Sequence, residues 1–330
     1  MNKKVILNVE SVYTSNAFMI DGKAYVGAGS ETTPAVYLHD IATGESDLVA
    51  GCPGGVMSFV PVPGNPDVFF SIMGLFPGFQ GLEAGVFMHR RTNGTWETKR
   101  AMHLPFAHRC DIVTVDGKNY LFGVSCSKHK DDIPDWTRAG EIYVMELDAE
   151  GNPSEPVLVD NTVFRNHGML KMDGKLYISG QEGIFRLELE GGKWQMVKVF
   201  GNEVSEFGFV DLDGDGQLEM ATIEPFHGEN MKIYKNVNGS WEEKFNHTIS
   251  FGHGLSCGVF NGEPIVVVGN RRGTFTLDVI KAKDFAAGEF TVEQIEQEAG
   301  PTQTQVFTVD GTDYILSANQ KKNEVALYTK

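Results

Sequence analysis

Short apolar runs of four to six residues recur along the chain, and each is bounded by glycine and aspartate. The fullest copy lies in residues 205–234, where runs at 207–210 and 218–223 flank a carboxylate-rich turn and a third run follows at 231–234. Runs of this length are too short for helices and are typical of β-strands. The pattern therefore predicts a meander of short antiparallel strands.

The same unit, an apolar run followed by an Asp-Gly or similar turn and a second apolar run, recurs along the whole chain. Its turn glycines follow one another at intervals of roughly 40 to 57 residues, and there are seven of them: Gly22, Gly64, Gly117, Gly174, Gly216, Gly262 and Gly311. A strand-built period in this range is typical of a radial β-propeller. We predict an all-β fold, a seven-bladed β-propeller with four-stranded blades, as a single domain over residues 1–330.

The two chain ends predict how the last blade is completed. The last unit has three predicted strands, at 306–309, 314–318 and 324–328, and then the chain stops. Residues 3–9 form an apolar strand with no hairpin partner before the first unit. Because unpaired strand edges are a liability, we predict that this N-terminal strand pairs into the last blade as its outer strand.

Composition narrows the classes of partner. The formal net charge of -16 argues against nucleic acid and against anionic membrane surfaces, which both require clustered Lys and Arg. The basic pair near the N-terminus precedes only three apolar residues, which is short of a secretory signal. Four widely spaced cysteines suit buried thiols in a reducing compartment. We expect a cytoplasmic protein, unless a signal peptide has been removed.

Histidines are the strongest chemical signal. Three of the seven predicted inner strands open with histidine, at His108, His167 and His253, and His227 lies on a neighbouring loop. Inner strands of a propeller start beside its central channel, so these imidazoles are expected to converge at one mouth. Such a cluster suits a divalent ion (Mn, Zn, Fe or Mg) with catalytic use. Structural histidines and a metal-free binding pocket remain open alternatives.

Charged residues gather near the same predicted mouth. Arg109 and Asp111 flank His108, and Lys128 and Arg271 lie on loops that face the mouth. In so acidic a chain, cations there favour an anionic or enolate-like species. Ordinary ion pairs with nearby carboxylates are the open alternative. The remaining histidines that fall on predicted outer strands or turns are expected at the surface: His39, His89, His103 and His247.

Two loops are longer than a hairpin requires. Residues 127–140 are expected to form a lid over the mouth, and Trp136 within it is a candidate for stacking on a sugar ring. The loop 74–80 carries Phe76 and Phe79, which fit either a pocket wall or loop packing. Three other tryptophans follow glycine-containing turns on predicted outer strands and indicate packing of those strands: Trp96, Trp194 and Trp241.

One turn is rich in carboxylates. Asp211, Asp213, Asp215 and Glu219 occupy positions one, three, five and nine of the run, and oxygen ligands at such spacing suit calcium. Calcium and a turn that merely tolerates acidic residues are both open. The pattern Phe-Gly, Asp-x-Asp-Gly-Asp-Gly and an acidic residue resembles the integrin-type FG-GAP and VCBS repeats. That resemblance covers one blade closely, since the other turns have shrunk to Asp-Gly or less.

With seven repeats, this turn, and histidines at inner-strand starts, the chain also resembles the propeller sugar lyases and dehydratases, such as aldos-2-ulose dehydratase and oligogalacturonate lyases. The resemblance implies a metal beside histidines that acidifies the proton next to a carbonyl or carboxylate, followed by elimination of a hydroxyl or glycosyl group. It implies that the ligands or bases are His108, His167, His227 and His253. It also implies that Glu206 and Gln303 bind metal or substrate.

We therefore expect a metal-dependent carbon–oxygen lyase or dehydratase acting on a keto-sugar, keto-glycoside or uronate. Its partner would be a small carbohydrate substrate. A sugar epimerase, isomerase or hydrolase would use the same groups. The alternative of another class is a non-catalytic propeller that binds a glycan or a protein, because propellers host many functions.

Overall fold

The structure is a computed structural model that describes residues 1–75 and 81–330. Its strands in chain order are β1 (Asn2–Asn8), β2 (Val12–Ile20), β3 (Lys23–Ser30), β4 (Val36–Asp40), β5 (Ser46–Ala50), β6 (Ser58–Val62), β7 (Asn65–Met73), β8 (Gly85–Thr92), β9 (Thr95–His103), β10 (Ala107–Val115), β11 (Lys118–Ser125), β12 (Ile142–Leu147), β13 (Val157–Asp160), β14 (Met169–Met172), β15 (Lys175–Gly180), β16 (Gly183–Glu190), β17 (Lys193–Phe200), β18 (Glu206–Val210), β19 (Glu219–Glu224), β20 (Asn230–Val237), β21 (Ser240–Thr248), β22 (Gly252–Phe260), β23 (Glu263–Asn270), β24 (Leu277–Asp284), β25 (Glu289–Glu296), β26 (Pro301–Val309), β27 (Thr312–Asn319) and β28 (Glu324–Thr329).

These strands form seven four-stranded antiparallel sheets, which are the blades of a β-propeller fold. Six of the sheets take four consecutive strands each, from β2-β3-β4-β5 to β22-β23-β24-β25. Short 3-10 helices occur at Gly81–Glu83 and Gln320–Lys322. No helix in residues 1–75 and 81–330 has the length and apolarity needed to cross a bilayer. The predicted all-β, seven-bladed fold class is confirmed.

The seventh sheet contains both ends of the chain, in the order β1-β28-β27-β26. β1 pairs antiparallel with β28 from Asn2 opposite Thr329 to Asn8 opposite Glu324, with a register shift between Val5 and Leu7. The predicted outer-strand role of the N-terminal segment is therefore confirmed. The last blade exists only when residues far apart in sequence meet.

The chain divides into two compact units. The first comprises Met1–Ala17 with Val204–Lys330, and the second is Phe18–Glu203. Each unit has its own buried apolar clusters, including Ile233 and Val266 in the first and Phe59 and Phe122 in the second. The single domain over residues 1–330 stays a prediction.

The hairpin turns explain why the repeat is visible in sequence. At Asp116 and Gly117 the φ angles are +51° and +76°, which is the combination that a two-residue type I′ turn requires. Aspartate and asparagine tolerate the first position and glycine supplies the second without steric cost. The turn chemistry thus fixes where each inner strand ends and the next strand begins.

Two of the four histidines expected at the surface are buried, so that expectation was wrong for them. His39 on β4 is 2% exposed and His89 on β8 is 0% exposed. Both lie on third strands; the hydroxyls of Ser71 and Thr98 contact the two ring nitrogens of His89, and the hydroxyl of Ser46 contacts Nδ1 of His39. The sequence alternation shows a strand but not how deeply each of its side chains is buried.

The three outer-strand tryptophans pack as predicted. Each lies at the second residue of a fourth strand, with its ring 4.9–6.5 Å (centroid to centroid) from a phenylalanine ring, of the same sheet for Trp96 with Phe69 and Trp241 with Phe209, and of the preceding sheet for Trp194 with Phe122. Phe76 and Phe79 lie outside the described residues. The four cysteines are free thiols, and Cys52, contrary to the expectation, is exposed.

Candidate functional site

His253 is held by hydrogen bonds at both ring nitrogens. Its Nδ1 lies 2.6 Å from the carbonyl oxygen of Thr302, and its Nε2 lies 3.0 Å from the hydroxyl of Tyr13. A carbonyl only accepts, so Nδ1 carries the proton and, in the neutral ring, Nε2 presents its lone pair to Tyr13. His253 is 1% exposed and Tyr13 3% exposed. The two side chains form a buried pair with a defined direction of proton donation.

Local backbone irregularities place these groups. Gly252 pairs with Asn270 and Gly254 with Gly269, so His253 is an extra residue in β22. Thr302 occupies the same kind of position in β26, and its hydroxyl donates to the Tyr13 carbonyl at 2.8 Å. Bulges re-aim side chains and recur next to active sites. Here two bulges bring His253, Thr302 and Tyr13 together within the first unit.

His227 lies beside this pair on the β19–β20 loop. Its ring stacks against His253 at 5.0 Å between centroids and contacts the rings of Phe226 and Phe251. A side chain at the following residue, Gly228, would come within 2.2 Å of the Glu224 carbonyl oxygen, so the tight loop requires glycine there. The predicted approach of His227 and His253 is present within this unit.

The second unit contains a second histidine pair. His108 and His167 are 3% and 2% exposed, and their ring centroids lie 4.3 Å apart. His108 is the extra residue at a register shift in β10, and the backbone N–H of His167 donates to Ser179 at 3.0 Å. The sequence placed both residues correctly at inner-strand starts. One metal shared by all four histidines stays a prediction.

Tyr13 was missed by the sequence reasoning, although a signal for it exists. Tyr13, His108, His253 and Thr302 each lie nine residues before the turn glycine of their repeat. Aligning the repeats on that glycine, and not on histidine alone, selects this position. The residue type differs from blade to blade while the place in the blade is the same.

The residues flanking His108 are tied to their own unit. Arg109, 7% exposed, donates from Nη1 to the Met57 carbonyl at 2.8 Å. Asp111 accepts from the ammonium of Lys171 at 2.9 Å and from the backbone N–H of Ile112. The ordinary ion pair that the sequence left open for this acid is thus present.

Three further predicted residues lie in the first unit. Glu206 opens β18. The amide of Gln303 is engaged by Thr14, Ser15 and Asn16, at 2.7, 3.1 and 2.7 Å. Arg271 lies with its guanidinium carbon 5.2 Å from the Tyr13 ring centroid. Arg271 is therefore next to the hydroxyl-bearing residue, whereas Gln303 orients the strand that carries it.

The predicted lid segment holds a buried lysine, Lys130, which the sequence placed on a mouth-facing loop without a role of its own. Lys128 is 65% exposed and lies 3.6 Å from a Glu141 oxygen. Lys130, two residues on, is 7% exposed, and its ammonium lies 3.4 Å from the Trp136 ring centroid. Trp136 thus contacts a cation of its own loop. Whether it also stacks on a sugar stays a prediction.

The acidic turn already contains a cation. Oxygens of Asp211, Asp213 and Asp215 lie within 4.8 Å of one another, as a metal site requires. The Lys235 ammonium, however, lies 2.5 Å from Asp213, 2.8 Å from Asp215 and 3.0 Å from Glu219. Its hydrogen bond lowers the pKa of Asp215. Calcium would have to displace this ammonium, so the fit to an ion is poor and calcium stays a prediction.

Comparison with known proteins does not add a family. No protein-family model and no curated protein matches the chain. The resemblance to FG-GAP repeats and to propeller lyases therefore depends on the sequence motifs and on the fold.

Proposed function

We propose that the protein is a metal-dependent carbohydrate-active enzyme, a lyase or dehydratase that acts by elimination on a keto-sugar, keto-glycoside or uronate. The observation that carries the proposal is the Tyr13–His253 pair, in which Nδ1 is fixed by the Thr302 carbonyl and Nε2 faces the Tyr13 hydroxyl. A buried histidine needs a partner at each ring nitrogen, and at His253 the partner of Nε2 is a phenol, which is a stronger acid than the Ser and Thr hydroxyls at His89. A hydroxyl–imidazole pair is the usual apparatus for moving a proton.

Tyr13 and His253 together can carry out both proton transfers of the elimination. His253 Nε2 takes the Tyr13 proton, and the phenolate oxygen then removes the proton next to the substrate carbonyl or carboxylate. The carbon–oxygen bond at the adjacent carbon breaks, and the leaving oxygen takes a proton back from the same pair. The guanidinium of Arg271 near the Tyr13 ring favours negative charge on that residue. Burial keeps bulk water away from the pair.

The imidazoles suit a divalent ion. Of the histidines predicted as ligands from the sequence, His227 would be a ligand of the ion, which leaves His253, stacked against it in the same unit, for the proton. Neutral imidazole is a preferred ligand of Zn and Fe. A bound ion would supply polarisation of the substrate oxygen and so stabilise the enolate.

Turnover by single variants tests the proposal. Metal-supplemented protein is incubated with uronate oligosaccharides and keto-sugars, and the conjugated double bond of the eliminated product is followed by ultraviolet absorbance. We expect Tyr13→Phe and His253→Gln to lower kcat by about 10²- to 10⁴-fold, the usual contribution of acid–base catalysis, while the metal content stays at the wild-type level.

The control is His103→Gln, because His103 is exposed at the end of the outer strand β9 and contacts the Leu82 carbonyl. It should leave kcat unchanged. Wild-type activity in both Tyr13→Phe and His253→Gln would refute the proton pair. Tight binding of a glycan or a protein with no substrate consumed would support the non-catalytic alternative.

A further inference from the structure

We propose that Arg272, with Arg271 beside it in the chain, binds the carboxylate of the substrate, which makes that substrate a uronate and not a neutral keto-sugar or keto-glycoside. This assignment rests on the proposed function, because it names the substrate of the same site. Arg271 and Arg272 are the two arginines of the first unit, which also contains Tyr13 and His227.

Ring contacts join both arginines to the site. The guanidinium carbon of Arg271 lies 5.2 Å from the ring centroid of Tyr13, the hydroxyl-bearing member of the proton pair. The guanidinium carbon of Arg272 lies 4.6 Å from the Phe251 ring centroid. The Phe251 ring in turn lies 4.7 Å, between centroids, from the ring of His227. One guanidinium is thus next to the proposed base, and the other is one ring away from the proposed metal ligand.

The loop that carries the arginines is fixed to the segment that leads into β22. The backbone N–H of Arg271 donates to the Phe251 carbonyl at 3.1 Å, and the side-chain oxygen of Asn270 accepts from the backbone N–H of Ser250 at 2.6 Å. Phe251 and His227 have φ angles of +51° and +47°, which bulky side chains rarely adopt and which cluster at functional sites. A site held in advance in this way loses little entropy when it binds.

Arg272 differs from most other cations of its unit in what it contacts. It is exposed, and within residues 1–75 and 81–330 its guanidinium contacts the Phe251 ring and pairs with no carboxylate. The lysines of this unit that do pair with carboxylates are Lys3, Lys232, Lys235, Lys244, Lys281, Lys283, Lys321 and Lys322. A guanidinium stacked on a ring keeps N–H donors at its edge, where they match the two oxygens of a carboxylate.

The elimination itself favours a carboxylate at this place. When the Tyr13 phenolate removes the proton next to a carboxylate, the electron pair of the C–H bond moves onto the carboxylate oxygens, which then carry a second negative charge. Guanidinium donors that are already in position stabilise such charge as it develops. A neutral keto-sugar has no group that matches the two arginines. A uronate therefore uses both the proton pair and the guanidinium groups.

Calorimetry on purified full-length protein, supplemented with divalent metal, tests the assignment. The protein is titrated with D-galacturonate, with D-galactose, which differs from it only at carbon 6, and with D-galactose 6-phosphate. We expect galacturonate to bind about tenfold tighter than galactose or more, and tighter than the phosphate. In Arg272→Gln the affinity for galacturonate should fall about tenfold or more, and that for galactose should not change.

Matched variants separate recognition by the guanidinium from a general effect of charge. Arg272→Lys keeps the charge and loses the planar fork, so its affinity for galacturonate should fall between those of wild type and Arg272→Gln. Lys283→Gln removes an exposed charge of the same unit that pairs with Glu289, and it should bind all three sugars as wild type does. Thermal midpoints equal to that of wild type show that the variants are folded.

The assignment is overturned if galacturonate binds no tighter than galactose, if Arg272→Gln keeps the wild-type affinity, or if the phosphate binds tighter than galacturonate. Binding requires no turnover. Galacturonate binding that depends on Arg272, in a protein that eliminates from no substrate, would refute the proposed function and keep the carboxylate site. Elimination from neutral keto-sugars that is as fast in Arg272→Gln as in wild type would keep the proposed function and overturn the carboxylate site.

Discussion

His89 illustrates how strongly a single buried side chain can couple the fold to pH. It lies between the hydroxyls of Ser71 and Thr98, at 2.8 Å from each, and has no solvent exposure. Burial lowers its pKa to about 3. The residue is neutral in the folded protein at any pH where the protein is normally handled.

This burial predicts an acid-sensitive stability. In the unfolded chain His89 takes up a proton below about pH 6.5, and in the folded protein only below about pH 3, so the free energy of unfolding falls as the pH drops through that window. The loss attributable to His89 is roughly 4 kcal/mol at the lower end. Urea unfolding at several pH values should show a shallower slope between pH 6 and 3 for His89→Gln than for wild type.

The exposed His103 supplies the control for His89, since His103→Gln should reproduce the wild-type slope. Equal slopes for wild type and His89→Gln would mean that His89 does not titrate as its burial requires.

At the scale of the element, local chemistry explains why the repeat was predictable. Asp-Gly and Asn-Gly pairs select the hairpin turn by themselves, so the seven units and their strands follow from neighbouring residues. The bulges at His108, His253 and Thr302 depend on pairing with a partner strand. For that reason the sequence located His108 and His253 at strand starts but did not find Tyr13.

A variant of Lys235 tests whether this lysine, and not a metal ion, neutralises the carboxylates of the acidic turn between β18 and β19. In Lys235→Met the carboxylates Asp213, Asp215 and Glu219 lose their shared ammonium and repel one another. We expect a lower thermal midpoint in calcium-free buffer and its recovery when calcium is added. Differential scanning calorimetry with and without calcium measures both effects.

Lys244→Met is the control for Lys235→Met. Lys244 lies on the neighbouring strand β21, and in the part of the chain that the structure describes its ion pair is with Glu242. It should leave the midpoint nearly unchanged and insensitive to calcium. A wild-type midpoint that rises with calcium as much as that of Lys235→Met would show that the ion, and not Lys235, neutralises the turn.

At the scale of the whole molecule, the pairing of the two chain ends is reinforced by charge. Lys3 of β1 bridges Glu296 and Glu324, and Lys322 also contacts Glu296. Burial raises the pKa of Glu296, but the hydrogen bonds from Lys3 and Lys322 outweigh burial and lower this pKa to about 2. The network joins the N-terminal strand to the strands that it completes.

This network predicts a second pH effect, in a lower window. The stabilisation by ionised Glu296 is fully present above about pH 4.5 and is lost as the pH falls toward 2, because only the unfolded carboxyl takes up a proton in that range. Glu296→Gln should lower the free energy of unfolding at pH 7 by about 1 kcal/mol, allowing for solvent screening. It should also remove that part of the acid dependence in urea titrations.

Lys244→Met tests whether the effect belongs to the closure, since Lys244 pairs with Glu242 on β21, away from β1. It should keep the wild-type acid dependence. An unchanged profile for Glu296→Gln below pH 4.5 would contradict the assigned role.

The fold and the site differ in how far the sequence determines them. Strand periodicity, turn glycines and an unpartnered first strand determine the seven blades and the paired termini. The chemistry depends on side chains such as Tyr13 and His253, whose partners lie in other sheets. These contacts join residues far apart in sequence, so no run of neighbouring residues encodes them and only the folded chain shows them.

The most direct test of the central claim is the divalent metal content of the purified protein and of four single variants, His108→Ala, His167→Ala, His227→Ala and His253→Ala, measured by plasma mass spectrometry after dialysis. We predict bound metal in wild type, its loss in His227→Ala, and its retention in Tyr13→Phe. Metal retained in all four histidine variants, or absent from the wild type after supplementation, would contradict the account.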